Sequence, residues 1–267
     1  MSAPLLNNIR IILTLFAGFA IAIHIAVFLH ELGHAFGYWI SGGAVTAIVM
    51  EAPAPTGYVR GSSADPRPVV WGGVVFGSLV TLIPLVIARY VAPKSPLRFT
   101  ALMVASFCLS HNGLYLFVGG FVPFGDALGM IDLGAPRWLL ILLGLPLLSG
   151  FVLVLASAIP MVGLGPADSL WKWIVSVELG LFPVPALTLI PVLSPAASQE
   201  MKSSMLVYAA CYAACFVIAA YRARSVAQAR DAEYNNSLMP NSWRVTAALI
   251  AAGFVLIAAE WVAFRPS

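Results

Sequence analysis

Long apolar runs broken by short polar segments set the pattern of this chain. Runs of about 18 or more apolar residues predict membrane-spanning helices. The first covers about residues 9–40, roughly 48 Å at 1.5 Å per residue, so it must tilt in or protrude from a ~30 Å hydrocarbon core. Ser41-Gly42-Gly43 ends it, because paired glycines favour left-handed or irregular backbone. Residues 44–68 then read as a loop able to form a short hairpin: a β-type run from Val45 to Val49, then Pro53, Pro55, Gly57 and a polar stretch from Arg60 to Arg67. A second span, about 69–91, opens with Trp71-Gly72-Gly73 and Gly77, small residues that let helix backbones approach closely in lipid. A third, about 99–117, contains His111 and Asn112 and breaks at Gly119-Gly120-Phe121-Val122-Pro123-Phe124-Gly125-Asp126, a stretch that needs protein or a water-lined cavity around it. Further spans are predicted over about 138–159, 205–221 and 245–264. Residues 170–193 are apolar but carry Glu178, Pro183, Pro185 and Pro191, as a kinked span or a re-entrant segment would. The prediction is all-α: a polytopic membrane helix bundle of six or seven spans, forming one integral-membrane domain over 1–267. The longest polar stretch, residues 222–244, is too short for a soluble domain.

Composition strengthens this picture. The chain is 61% hydrophobic and 9% charged, against about 45–50% and about 25% in soluble domains. It lies mostly within the lipid bilayer. The net charge of +3 is spread over the connecting segments, with no basic run interleaved with aromatics, which argues against nucleic acid as a partner. Cys108, Cys211 and Cys215 sit in apolar runs without disulfide or thiolate-zinc spacing and read as small core residues. The N-terminal apolar run shows no Ala-x-Ala-like cleavage site and reads as a retained helix. Counting Lys and Arg for seven spans puts nine on the N-terminal side and five on the other, favouring a cytoplasmic N-terminus; six spans divide them seven and seven.

Inside the first span lies His30-Glu31-Leu32-Gly33-His34. Histidines at i and i+4 share one helix face, so both imidazoles can bind one zinc ion at about 2.0–2.1 Å. Zinc lowers the pKa of a bound water to around 7, and Glu31 beside the first ligand can take its proton and pass it to a leaving amine. Ionisable groups within a span are expensive and by default imply function.

Catalytic zinc usually has three protein ligands and one open position. Asp126, after Pro123 and Gly125 at a helix break, is the preferred third ligand. Asp132, six residues on, fits a solvated turn better. His111 is chemically able to ligate, but reads better as a group behind the ligands or as a packing histidine. Asn112 can hydrogen-bond to substrate backbone or to developing oxyanion charge, and equally can bridge two helices. His24 lies about 600° around the helix from His30, roughly opposite it, and is not expected to ligate. Glu178 and Glu260 lie in apolar runs without spacing that ties them to the metal.

These residues resemble the site-2 protease family of intramembrane zinc metalloproteases. The likeness rests on HELGH in a membrane helix, Gly42-Gly43 after it, the Gly-rich opening of the second span and Pro123-Phe124-Gly125-Asp126 after the third. It covers a three-helix catalytic core over about 9–130, leaving 131–267 as additional membrane helices. It implies that His30, His34 and Asp126 hold the metal while Glu31 activates water. Asp126 is followed by Ala127 where the family usually has Gly, and the family's upstream Asn-Pro element is absent. The implied function is zinc-dependent cleavage of a peptide bond within or near a substrate transmembrane helix. A membrane-embedded protein is then the substrate, and Ala44 to Tyr58 offers a strand edge for it. Compactness and family habit point to a bacterial inner membrane, and the family's habit of keeping its site near the cytosol implies an external N-terminus, against the charge count for seven spans. The alternative is a non-proteolytic zinc-binding membrane protein, a transporter or scaffold.

Overall fold

The structure, a computed structural model, describes residues 3–51, 56–183, 199–229 and 243–264. It is an α-helical bundle with six helices long and apolar enough to cross a membrane. The first helix, α1 (Ala3–Ile40), runs unbroken for 38 residues. A two-stranded antiparallel hairpin follows, β1 (Ala44–Met50) paired with β2 (Gly57–Ser62) and bulged between Val45 and Ala47. The second span is α2 (Pro66–Val80) and α3 (Leu82–Tyr90), which meet at Thr81. Pro84 lacks the N–H that Val80 would receive, and the Thr81 hydroxyl donates back to the Gly77 carbonyl at 2.9 Å. Asp65 caps α2 by accepting from the Arg67 N–H, and the same Arg67 guanidinium holds this exposed carboxyl below its usual range.

The third span is α4 (Pro96–Phe121), followed by the short α5 (Gly125–Asp132) and by α6 (Arg137–Ala158), which a 3-10 turn extends to Val162. Arg10 of α1 donates to the Val162 carbonyl at 3.0 Å, placing a buried cation at the carbonyl end of that turn. Then come α7 (Leu170–Leu181), α8 (Gln199–Ala229) and α9 (Trp243–Ala263). The α1 and α4 helices are buried over most of their length, whereas the outer helices show large apolar side chains such as Leu79, Leu142 and Phe254. A surface of that kind suits lipid.

The α1 and α2 helices cross at backbone contact. A methyl group on Gly33 would run into the Gly72 carbonyl, one on Gly72 into the Gly33 carbonyl, and one on Gly37 into the Pro68 carbonyl. Glycines at these positions are what allow this approach.

Helix α9 lies parallel to α1: Thr246 hydrogen-bonds Thr14 at 2.8 Å, Glu260 pairs with His24, and the rings of Phe264 and Phe28 sit 5.4 Å apart. Helix α8 runs the other way, from Tyr208 beside Tyr115 and Phe124 to Arg224, which donates to the Asp168 carbonyl. Among the described residues, α1 and α9 therefore run in one direction along the bundle and α8 in the other. Of the ambiguous segment 170–193, α7 provides the beginning, with Gly180 against Ile12 and Leu15; residues 184–193 lie outside the described residues.

Candidate metal centre

Three donor atoms from two parts of the chain converge at the far end of α1. His30 Nε2 lies 2.7 Å from Asp126 Oδ2, His34 Nε2 lies 3.2 Å from the same oxygen, and the two Nε2 atoms are 3.0 Å apart. Ligand atoms at about 2.0–2.1 Å from a tetrahedral zinc ion stand about 3.3 Å from one another. The triangle is slightly contracted from that spacing. Both histidines are buried, and the Asp126 side chain is 23% exposed.

The opposite ring nitrogens are engaged elsewhere. His30 Nδ1–H donates to Asn112 Oδ1 at 2.9 Å, and His34 Nδ1–H donates to the Val69 carbonyl at 2.7 Å. Each contact selects the tautomer whose Nε2 carries the free lone pair, as a metal-binding imidazole needs. Gly73 of α2 leaves the space in front of those lone pairs: a methyl group there would stand 2.6 Å from both Nε2 atoms. The donor set, the tautomers and the cradle all fit one zinc ion.

Glu31 is buried beside the histidines and forms a close three-residue group with them. It borders a cavity of about 320 Å³, lined also by Tyr58 and Val59 of β2, Val70 of α2, Tyr115 of α4 and Asp126. Gly57 brings β2 against Glu31, since a Cβ there would lie 2.9 Å from the Glu31 Cγ. Tyr115 stacks on the His30 ring at 5.6 Å between centroids, and His111 meets the same ring edge-on at 4.7 Å.

The sequence candidates separate cleanly in space. His30, Glu31, His34 and Asp126 are brought together, with Asn112 and His111 directly behind them. Asp132 is exposed at the end of α5, and Glu178 lies on α7, a helix packed against the early turns of α1. His24 does point away from the metal group, into a buried pair with Glu260. Two contributions escaped sequence reasoning: Gly73 as the space before the donors, and Tyr115 as the wall over His30. The Gly72-Gly73 pair signalled close approach without naming its target, and Tyr115 gave no signal beyond lying one turn after His111. Comparison of the chain with protein-family models, with curated proteins and with solved structures finds no match.

Proposed function

We propose that the chain is a zinc-dependent intramembrane endopeptidase with a site like that of the site-2 proteases. The observation that carries this reading is the convergence of His30 Nε2, His34 Nε2 and Asp126 Oδ2 beside Glu31 and an open cavity. A bound zinc ion would acidify water and polarise a peptide carbonyl. The protein's own groups do the rest. Asn112 and the Val69 carbonyl hold the imidazoles in register, Glu31 accepts a proton from water and delivers it to the departing amine, and the cavity admits both water and an unwound peptide. Among the described residues the β2 strand is paired on one edge only, by β1, and its residues line the cavity, so an extended substrate segment can add to the hairpin. A membrane-embedded protein is the fitting substrate, because the donors sit between helices of bilayer-crossing length. The open cavity favours hydrolysis over a closed structural zinc site.

The parallel course of α1 and α9 supports seven crossings, for which nine cations fall on the N-terminal side and five on the other. The positive-inside rule then favours a cytoplasmic N-terminal end of α1, whereas the family's habit of keeping its site near the cytosol favours the reverse; family habit also points to a bacterial inner membrane. The decisive experiment reconstitutes the purified protein in lipid with a panel of single-span helices. Zinc-loaded wild type cleaves at least one, and Glu31→Gln binds zinc equally but cleaves none. Equal cleavage by both proteins refutes the mechanism.

A further inference from the structure

Asp126 is the donor with the least local support. It follows Phe124, which is fully extended and makes no side-chain cap, and Gly125, whose φ is +50°. The place of its carboxylate is therefore set by what holds those two residues. Gly125 lies directly against Tyr115, since a Cβ there would stand 2.6 Å from a ring carbon. Phe124 packs on Tyr115 at 5.4 Å between ring centroids. The third ring of this cluster comes from outside the three-helix core. Tyr208 of α8 meets Phe124 edge-on at 5.6 Å and 88°, and meets Tyr115 at 6.2 Å and 74°.

Tyr208 is only 5% exposed and ends an aromatic row along α8. Tyr212, one turn on, lies 5.2 Å from it and touches Ser110 Oγ at 3.3 Å. Phe216, a further turn on, packs against Phe151 of α6. The i, i+4, i+8 spacing fastens the row to α4 and α6, so Tyr208 arrives at the metal centre from a rigid support.

We propose that Tyr208 is a positioning residue for the metal centre: its ring braces Phe124 and Tyr115, and so fixes where Asp126 meets His30 and His34. This rests on reading those three donors as a zinc site. It makes α8 part of the site and denies that residues 9–130 suffice on their own.

The test is a zinc-affinity titration against a competing chelator, on full-length protein in lipid nanodiscs, with thermal stability followed in parallel. Tyr208→Ala weakens zinc binding by about 10-fold or more, within the range seen when groups behind metal ligands are removed. Tyr208→Phe stays within about twofold of wild type, because the ring and not the hydroxyl does the bracing. Tyr208→Leu, which keeps apolar bulk but not the ring faces, follows Tyr208→Ala should the alanine variant fail to fold. Trp173→Ala empties a fully buried site on α7, outside the row, and it lowers stability while leaving zinc affinity unchanged. Wild-type affinity in Tyr208→Ala or Tyr208→Leu overturns the proposal, as does an equal loss in Trp173→Ala. A wild-type protein that takes up no zinc overturns the metal reading, and this proposal with it.

Discussion

Replacing Gly73 with alanine tests the metal centre at its tightest point. The added methyl would stand 2.6 Å from His30 Nε2 and 2.6 Å from His34 Nε2, whereas ordinary contact begins near 3.4 Å. Each imidazole would have to recede by about 0.8 Å, several times the ~0.2 Å that metal–ligand distances tolerate. Neither ring has an easy retreat, because His30 is tied to Asn112 and His34 to the Val69 carbonyl. Helix α2 cannot back away either without opening the Gly33–Gly72 contact. Zinc affinity should therefore fall by about 100-fold or more, beyond what loss of a group behind the ligands produces. Metal analysis after chelator competition reads this directly. Gly253→Ala is the control: its nearest neighbours would lie 3.7 Å away, so the methyl fits and zinc binding is unchanged. Wild-type zinc affinity in Gly73→Ala refutes the placement of the donors.

Asn112→Ala removes the acceptor for His30 Nδ1–H and should weaken zinc binding by about 10–100-fold, while Asn112→Asp, which keeps an oxygen there, should come close to wild type in the same titration. Removing one partner of the buried His24–Glu260 pair should cost about 3–5 kcal/mol, and replacing both with leucine should recover most of it. Unfolding measurements on the two single variants and the double variant check this; a double variant as unstable as the worse single one contradicts it. A crossing by α4 and a cytoplasmic N-terminal side predict that cysteines at Lys94 and Asp132 react from opposite faces of the membrane, the first from the cytoplasm, once Cys108, Cys211 and Cys215 are replaced. Labelling of both from one face rules out the arrangement.

The legible part of the site was the part encoded within one helical turn. His30 and His34 share a face because of helix geometry alone, and their place in an apolar run needed no tertiary information. Asp126 was reachable by a chemical argument, that zinc needs a third donor and a helix break can supply one, although ninety-odd residues separate it from His34. The hairpin over 44–62 was legible as a β-type run with turn residues, but the pattern could not tell that β2, and not β1, lines the cavity. The count of crossings stayed divided between six and seven, because Glu178 and three prolines blur the hydropathy of 170–193. Six described helices are long and apolar enough to cross, and residues 184–193 lie outside the described residues.

What stayed hidden shares a physical cause. His24 and Glu260 each looked like a lone polar group in an apolar run, and their partnership spans 236 residues between two parallel helices that no local periodicity relates. A buried ionisable residue announces that it has a partner without naming it, since the energetic penalty belongs to the burial and the pairing to the fold. Gly73 is the same case from the other side. A glycine in a membrane helix announces that something comes close, and here the neighbour is a pair of imidazole nitrogens where, at Gly72, it is another backbone. The donors on α1 thus owe their free approach to an absent side chain on α2, and the two helices owe their crossing to glycines on both.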